Sequence, residues 1–439
     1  MKYSVTHCYT DKNKGDAAIV IATTQLLRHI DAQAEIFLFS TYGVTDNRLH
    51  NEHDIIRKHA DRLFPALFPE PVSAFGKKIQ SLRLIPFLSS LIRSLFLLVS
   101  SNKRFIGLVL SEEEYCGFKS FIDSDVIISK GGSYLYTENS SIRSSLSLIR
   151  MLYPFILAWR YGKRSVIFGQ SLGPLVGRFN QCLFSFVLSK VDYIYLRESV
   201  CIDAYVSVKA LCNKKGYQVI PDTAFFLKDD YSDPEPDIKI DATRFNVGFT
   251  IVDNDYKYIG CMQELTVKKE SYKKSISEAI KYLIDNYAAE VHIFPQVLAD
   301  SSFQGHNDLV LSKNIVSNFV STKYSKHLHL YEHDLSPLQL RRLYGQMTIF
   351  IGTRLHSVIF ALSVGVPAIT IAYHGTKSEG ILKQIHGCDK FVLDINEINS
   401  IRLIQKIEEL VGEIDSIKRN LHNQIRSLCA QLVAAVKNI

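Results

Sequence analysis

The sequence predicts an α/β protein made of two Rossmann-like domains with mostly parallel sheets. Short apolar, β-branched runs alternate with segments of helical periodicity along most of the 439 residues. The predicted strands are apolar on both faces, which is typical of parallel sheets covered by helices on both sides. An acidic, proline-containing stretch at 229–241 interrupts this alternation, which then restarts. We therefore expect an N-terminal domain over 1–235 and a C-terminal domain over 236–439, as the chain length also favours.

In the predicted N-terminal domain, most strands end in a loop that carries unusual polar residues. Strands are predicted at 3–8, 35–39, 125–129, 165–168, 193–196 and 218–220. Helices are predicted at 17–29, 144–160 and 178–190, while 45–80 looks irregular. Ligands of parallel sheets bind beyond the carboxyl ends of the strands, so these loops are candidate binding loops.

The predicted C-terminal domain repeats the pattern. Strands are predicted at 246–251, 290–294, 328–331, 348–351 and 368–372. Helices are predicted at about 268–287, 336–345 and 357–364, and a terminal helix after about 398 could pack back on the N-terminal domain. Two such domains that face each other across a cleft form a GT-B-like architecture, like that of many glycosyltransferases.

Charge and cysteine content limit the partners that we expect. The 51 basic and 44 acidic residues leave a formal charge of +7, which is spread out and does not resemble a nucleic-acid footprint. Such a surplus suits an anionic small substrate or an anionic membrane surface. The eight cysteines form no C-x-x-C pair, which argues against a disulfide framework or a zinc site and favours the cytoplasm. We expect no metal and no cofactor, and we interpret the contiguous Glu112, Glu113 and Glu114 as a solvated face.

The most apolar part of the chain is 81–110, where leucine, isoleucine and phenylalanine lie near helical spacing between basic residues. Two interpretations stay open, namely a helix buried against its domain and a helix that lies on a membrane surface. Arg93 and several serines interrupt the window 84–100, which is shorter than the roughly 20 apolar residues of a spanning helix. The N-terminus lacks the apolar core of a signal peptide. We expect a cytoplasmic location, with peripheral contact at the cytoplasmic face of the membrane as an option.

The strongest candidate site is the run Ile351-Gly352-Thr353-Arg354-Leu355-His356-Ser357. A strand would deliver Arg354 and His356 to a helix start, where free N–H groups and the helix dipole favour an anion. An arginine can hold a carboxylate or phosphate with two parallel hydrogen bonds, and a histidine titrates near neutrality and can pass a proton. The alternative is that both side chains only complete the helix cap.

The longer run IGTRLHSVIFALSVGVPAITIAYHGTK resembles the C-terminal signature of the polysaccharide pyruvyl transferases, with its R-L-H triplet, its G-x-P turn and a tyrosine and lysine beyond the next strand. Further blocks resemble the family's N-x-G-D, G-G-G, G-Q-x-x-G-P, R-[DE]-x-x-S and D-x-A-F motifs in order: Asn13 to Asp16, Lys130 to Ser133, Phe168 to Pro174, Leu196 to Ser199 and Pro221 to Phe225. Two departures are Ser133 in place of the third glycine and His374-Gly375-Thr376 between Tyr373 and Lys377.

This resemblance implies a transferase that moves the enolpyruvyl unit of phosphoenolpyruvate onto two hydroxyls of a sugar as a ketal, releasing phosphate. The acceptor would be a sugar of a cell-surface polysaccharide or exopolysaccharide, or its lipid-linked oligosaccharide precursor. The N-terminal domain would be the acceptor side, and the C-terminal domain would hold phosphoenolpyruvate. Two rival functions remain, a glycosyltransferase that uses a nucleotide sugar and a non-catalytic protein of polysaccharide assembly.

The resemblance also implies roles for single residues. Arg197 and Arg354 would bind the anionic groups of the donor, Leu355 would belong to the substrate-binding residues, and His356 would be the general acid. Asp16 would hold acceptor hydroxyls or act as a base, unless it caps a helix that starts at Ala17. The remaining substrate-binding candidates, each with a structural alternative, are Asn13, Gly15, Gln170, Ser171 and Lys377. For the stretch 331–334, helix capping is favoured over a role in a cleft.

Overall fold

The structure is a computed structural model that describes residues 1–68, 84–100, 102–204, 208, 216–230, 233–252, 262–298, 307–373 and 376–439. The chain forms two compact units. Unit 1 comprises Met1–Asp11, Ile19–Thr223 and Gln431–Ile439, and unit 2 comprises Lys12–Ala18 and Ala224–Ala430. The early segment Lys12–Ala18 thus belongs with the second half of the chain.

A parallel sheet forms the centre of unit 1. Its strands are β1 (Lys2–Cys8), β2 (Glu35–Ser40), β3 (Arg62–Phe64), β4 (Val126–Ser129), β5 (Arg164–Gln170), β6 (Tyr193–Leu196) and β7 (Gln218–Val219). They pair in the order β3-β2-β1-β4-β5-β6-β7. The order reverses between β1 and β4, which is the switch point where doubly wound sheets bind ligands.

Helices pack against this sheet, and apolar side chains of helices and strands form one core cluster that includes Leu152 and Phe184 and another that includes Phe64 and Phe121. The helices are α1 (Lys14–Ile30), α2 (Arg48–Asn51), α3 (Leu84–Val99), α4 (Lys103–Val109), α5 (Glu112–Asp123), α6 (Ile142–Arg160), α7 (Arg178–Lys190) and α8 (Val200–Ala204). The chain's last residues, 431–439, also pack in unit 1, where the Tyr195 hydroxyl donates to the Ala435 carbonyl at 3.2 Å.

Unit 2 contains a second parallel sheet. Its strands are β8 (Asn246–Thr250), β9 (Glu290–Ile293), β10 (Leu328–Leu330), β11 (Ile349–Gly352), β12 (Ala368–Ala372) and β13 (Val392–Asp394). The order β10-β9-β8-β11-β12-β13 is that of a Rossmann sheet, with its switch point between β8 and β11. Its core cluster includes Ile276, Ile351 and Ile371.

The helices of unit 2 follow its strands. They are α9 (Met262–Tyr287), α10 (Asp308–Ser317), α11 (Pro337–Tyr344), α12 (Leu355–Ser363), α13 (Thr376–Leu382), α14 (Ser400–Gly412) and α15 (Ile414–Lys437), the last of which ends in the part of the chain that belongs to unit 1. The acidic stretch near 230 is bound to α11, since Arg341 forms an ion pair with Asp229 at 3.0 Å and Arg342 donates to the Asp230 carbonyl at 2.7 Å. None of the helices in the described ranges combines the length and apolarity needed to cross a bilayer.

Some local predictions were wrong. Helix α1 begins at Lys14, not Ala17, and the region predicted as irregular contains α2 and β3. The three acidic residues after Ser111 are not all solvated, because Glu114 is buried and binds Arg93 at 2.7 Å. Glu114 also completes a capping box with Ser111 at the start of α5. The sequence 112–114 is therefore a helix start anchored by one buried carboxylate.

Candidate functional site

In unit 2, the carboxyl ends of β8 and β11 place Arg354 and His356 at the start of α12. The Thr353 N–H donates to the Thr250 carbonyl at 3.1 Å, which continues the β8–β11 pairing one residue past β11. Arg354 is the residue before the helix, and its N–H lies 3.4 Å from the Thr250 hydroxyl. The Ser357 and Thr250 hydroxyls lie 2.7 Å apart and tie the first turn of the helix to β8. The strand end thus fixes the backbone of the whole R-L-H triplet.

A buried carboxylate that the sequence did not reveal holds the Arg354 side chain. Asp308 is 1% exposed, and its two oxygens accept from Nη2 of Arg354 at 2.6 Å and from Nε at 3.1 Å. The same carboxylate accepts from the N–H groups of Gln296 at 3.1 Å and Val297 at 3.0 Å, just after β9. Such a bidentate pair fixes the plane of the guanidinium as well as its position.

Tyr373, which follows β12, holds the other end of the guanidinium. Its hydroxyl accepts from Nη1 of Arg354 at 2.8 Å. Burial opposes the charged arginine, but Asp308 and Tyr373 raise the pKa of Arg354 above its ordinary value. Burial also raises the pKa of Tyr373, so the phenol stays neutral. Of the five N–H donors of Arg354, three are used in these bonds, and in the described part of the chain the second hydrogens of Nη1 and Nη2 are not.

His356 lies against the N-x-G-D loop of the early segment. A Cβ atom placed on Gly15 would come within 2.3 Å of the His356 Nδ1 atom and 2.6 Å of its Cγ atom. Real Cβ atoms do not approach ring atoms so closely, so any larger residue at position 15 would displace the loop or the imidazole. Two motifs that are some 340 residues apart in the chain therefore meet within unit 2.

Asn13 organises this loop. Its side-chain oxygen accepts from the N–H groups of Gly15 at 3.2 Å and Asp16 at 3.4 Å, which is the geometry of a helix cap. Its amide nitrogen donates to the Asp16 carboxylate at 2.7 Å. The alternative that Asp16 caps a helix starting at Ala17 is therefore wrong, because Asp16 lies in the first turn of α1 and is itself held by the cap residue.

Lys14, the variable residue of the N-x-G-D motif, adds a buried cation that sequence reasoning missed. Its side chain is 1% exposed and forms an ion pair with Asp334, which Lys12 also binds at 2.6 Å. Burial raises the pKa of Asp334, but Lys14 and Lys12 outweigh it and hold that pKa below its usual range. Ser336, and not the stretch 331–334, caps the next helix, α11. The capping role favoured for 331–334 was thus wrong for Asp334, which belongs to the lysine cluster.

Backbone hydrogen bonds join this lysine loop to the arginine. The Lys14 N–H donates to the Gln296 carbonyl at 3.1 Å, and the Leu298 N–H donates to the Lys12 carbonyl at 3.0 Å. The main chain of the segment 296–298 therefore binds the loop. The N–H groups of the same segment also bind the Asp308 carboxylate. The loop, Asp308 and Arg354 form one connected arrangement, which we call the R-L-H cluster.

The other candidates in unit 2 are Leu355 and Lys377. Leu355 is the first residue of α12 and Lys377 the second residue of α13, and both are half-buried. His374 and Gly375, the predicted spacer before the lysine, lie outside the described residues. Among the residues that the structure does describe, no group of three or more His, Cys, Asp or Glu side chains is placed to hold a metal ion.

In unit 1, the remaining motif blocks meet at the carboxyl ends of β4, β5 and β6. Arg197 is 3% exposed and donates to the Ser171 hydroxyl at 2.8 Å and to Asp222 at 2.7 Å. The Ser171 N–H donates to the Gly132 carbonyl at 2.8 Å, and the buried Gln170 amide donates to the Lys130 carbonyl. The four blocks thus bind one another. The carboxylate of Asp222, which belongs to one of the motifs but was not predicted as a partner of Arg197, compensates the charge of that arginine.

Tight packing explains the glycines of this region. Gly169 has a φ of +65°, and a Cβ there would lie 2.9 Å from the Thr223 hydroxyl. A Cβ on Gly131 would lie 2.9 Å from the Gly169 carbonyl oxygen. Gln170 and Ser171 are fully buried, so in this structure their side chains hold neighbouring loops together, while a direct role of either in substrate binding stays a prediction.

Comparisons with known proteins agree with the family that the motifs indicate. The model of the family described as polysaccharide pyruvyl transferase matches residues 13–375. The amylovoran biosynthesis protein AmsJ of Erwinia amylovora is 26% identical over 306 residues, which cover 68% of each chain.

A solved structure with low identity shares the fold. A UDP-N-acetylglucosamine 2-epimerase aligns with a TM-score of 0.51 at 8% identity, over 99% of this chain and 94% of that chain. A UDP-GlcNAc 2-epimerase from Neisseria meningitidis bound to UDP-GlcNAc gives a TM-score of 0.48 at 12% identity, over 99% and 100% of the two chains. The predicted fold class is confirmed, as two parallel-sheet α/β units with GT-B-like structural neighbours.

Proposed function

This chain belongs to the polysaccharide pyruvyl transferase family, a family of transferases, and we propose that it moves the enolpyruvyl unit of phosphoenolpyruvate onto a sugar as a pyruvate ketal. The AmsJ relative is named for the biosynthesis of amylovoran. By analogy, the proposed acceptor is a sugar of an exopolysaccharide or other cell-surface polysaccharide, or its lipid-linked precursor. The observation that carries the proposal is the contact of Gly15 with His356, because it brings a proton donor, an arginine fork and a second motif loop together.

The charges of the R-L-H cluster support an anionic donor. Asp308 compensates the charge of Arg354, whereas the single carboxylate of Asp334 is shared by Lys14 and Lys12. What Arg354 offers is directed N–H groups at the start of α12, where the helix dipole also favours an anion. A carboxylate or phosphate there favours the imidazolium form of His356 over the neutral ring. Lys377 is our proposed further cation and Leu355 a further proposed substrate-binding residue of unit 2, while a role of Arg197 in binding the donor stays a prediction.

The proposed chemistry needs one acid and one base. His356 gives its proton to the methylene carbon of phosphoenolpyruvate, which becomes the methyl group, and positive charge develops on the neighbouring carbon. A sugar hydroxyl attacks that carbon and gives its proton to a base, for which Asp16 is the candidate because Asn13 holds its carboxylate beside the same loop. The bond from carbon to the phosphate oxygen breaks and phosphate leaves with the bonding electron pair. A second hydroxyl then attacks the same carbon, gives its proton to the now neutral His356 and closes the ketal.

A direct assay tests this function. The protein is incubated with phosphoenolpyruvate and candidate oligosaccharides, and mass spectrometry is used to look for an added pyruvyl ketal. The His356→Gln variant should bind phosphoenolpyruvate but turn over about a hundredfold to ten-thousandfold more slowly. The matched control is His422→Gln, at an exposed histidine of unit 2, which should keep full activity.

A thermal-shift panel separates this proposal from its rivals. A true ligand raises the melting temperature by mass action, so phosphoenolpyruvate should stabilise the protein and nucleotide sugars should not. Stabilisation by a nucleotide sugar alone would favour a glycosyltransferase. Normal turnover of a folded His356→Gln variant would remove His356 from the mechanism, and unimpaired polysaccharide assembly with that variant would favour a non-catalytic role.

A further inference from the structure

Helices α3 and α4 of unit 1 present large apolar side chains outward as well as towards the core. In the described part of α3, Ile92, Leu95 and Val99 are 64%, 52% and 79% exposed. The opposite face turns Leu97, which is 1% exposed, towards the protein together with Ser90 and Ser94. A helix on the surface of a water-soluble domain normally carries polar residues on its outward face.

Hydrogen bonds of Ser94 make the orientation of α3 specific. The Ser94 hydroxyl donates to the Ser90 carbonyl at 2.8 Å and lies 3.2 Å from the Leu67 carbonyl oxygen. The Tyr153 hydroxyl donates to the Ser94 carbonyl at 2.9 Å. Rotating the helix to bury its apolar stripe would break these bonds and leave buried polar groups unpaired.

Helix α4 continues the apolar surface. Phe105 and Leu108 are 58% and 81% exposed, while Ile106 is buried. We call Ile92, Leu95, Val99, Phe105 and Leu108 the apolar patch. Five large apolar side chains on two consecutive helices exceed the single exposed residues that are normal on a soluble protein, and such a patch marks an interaction site.

An aromatic group with a cation lies next to the end of α3. The Arg160 side chain donates to the Leu98 carbonyl at 2.8 Å, which fixes that end to the end of α6 beside Trp159. Trp159 is 47% exposed and packs edge-on against the half-exposed Phe186 at 5.5 Å. The Lys190 ammonium lies 5.1 Å from the Trp159 ring centroid. Tryptophan and lysine side by side are typical of the membrane–water interface.

The charge of this region selects the partner. Between Glu70 and Glu112, the stretch of sequence that contains α3 and α4, there are six basic residues and no acidic residue. A symmetric dimer through the apolar patch would bring two copies of this like-charged stretch of sequence together, since the two halves of a two-fold interface are the same patch. An anionic lipid surface offers the opposite charge and accepts the apolar side chains. Counting the exposed Glu112 and Glu113 leaves the basic residues in clear excess.

We propose that the apolar patch and the Trp159 group dock unit 1 on the surface of an anionic lipid bilayer. The binding itself does not depend on the transfer reaction. Only the purpose of the membrane binding, which is to bring the protein to a lipid-linked acceptor, rests on the proposed function. Of the two interpretations of 81–110, the outward apolar residues of α3 favour the helix that lies on a membrane surface. Residues 81–83 and 101 lie outside the described residues.

Vesicle co-sedimentation of the full chain without substrates tests the proposal. Wild-type protein should sediment with vesicles of phosphatidylcholine and phosphatidylglycerol, less with phosphatidylcholine alone, and less at high salt. The double variant Leu95→Gln/Leu108→Gln should bind about tenfold or more weakly, because two apolar side chains no longer enter the interface. The matched control is Val310→Gln/Ile401→Gln, which replaces unit 2 side chains that are 64% and 70% exposed and should bind like wild type.

Three results would overturn the proposal. They are recovery of the wild type in the supernatant with both vesicle types, equal loss of binding in both double variants, and a wild-type dimer that the patch variant dissociates while vesicles bind neither. Because no phosphoenolpyruvate is present, a negative result here leaves the transfer assay untouched, and failed transfer by a vesicle-bound protein would count only against the proposed function.

Discussion

Replacing Asp308 by asparagine should destabilise unit 2 and weaken the binding of the donor. The substitution keeps the size of the side chain but removes the charge that balances Arg354, in a pair whose side chains are 1% and 11% exposed. It also replaces one of two acceptor oxygens with an N–H₂ group, although that carboxylate accepts four hydrogen bonds. The substitution therefore leaves Arg354 without its buried counter-charge. It also places the N–H₂ group of the asparagine opposite another N–H donor.

The size of the effect follows from the burial of the pair. Removing one partner of a buried ion pair costs about 3–5 kcal/mol, because the other charge is left uncompensated. For a domain of this size, each kcal/mol lowers the melting temperature by about 2–4 °C, so we expect a decrease of roughly 6–20 °C. Phosphoenolpyruvate should bind more weakly as well, because Asp308 no longer fixes the arginine fork.

Differential scanning calorimetry and a titration with phosphoenolpyruvate measure the two effects. The control is Asp285→Asn, which removes a carboxylate that binds Lys323 at the surface of the same unit and should change neither quantity appreciably. If Asp308→Asn melts like the wild type and binds the donor with unchanged affinity, Asp308 does not position Arg354, and the R-L-H cluster is not held as described.

Three further predictions concern the loops around the two arginines. Gly15→Ala should lower turnover at least about tenfold, because its Cβ would meet the His356 ring, whereas Gly412→Ala, whose Cβ meets nothing within 4 Å, should be neutral in the same assay. Arg197→Ala should lower stability by about 3–5 kcal/mol in denaturant unfolding, and donor affinity should fall too; intact stability with lost binding would mean that the guanidinium only contacts the donor. The lowered pKa of Asp334 means that its ion pair stabilises the fold above about pH 4 and is lost as the pH falls through that lowered pKa. The stability difference between wild type and Asp334→Asn should therefore shrink in acid, and a difference that grows there would contradict the pairing with Lys14.

Most of the fold could be predicted from the sequence because its strands are short apolar runs between polar loops. Strands β4, β6 and β12 were found within a residue of their ends. The outermost strands β3 and β13 were missed, whereas the outermost strands β7 and β10, which are no longer, were predicted. The first turn of α1 was missed because Lys14, Gly15 and Asp16 hide its apolar periodicity.

The partners within the site could not be predicted in the same way. Motif spacing placed Arg354 and His356 correctly at a strand end, but no local pattern links Arg354 to Asp308, which lies 46 residues earlier. Lys14 occupies a variable motif position, and its partner Asp334 is 320 residues away. Such pairings depend on which strands become neighbours in the sheet. No local sequence pattern gives that order.

The central claim, protonation of the donor's methylene carbon followed by transfer to a sugar, is tested most directly by running the reaction in D₂O. Mass spectrometry and NMR of the pyruvylated product report where deuterium is incorporated. Because His356 exchanges its acidic proton with solvent, the account predicts one deuterium in the methyl group of the ketal, and a much slower reaction with His356→Gln. A pyruvylated product without deuterium in its methyl group, or no pyruvylated product from any phosphoenolpyruvate-binding wild-type sample, would contradict it.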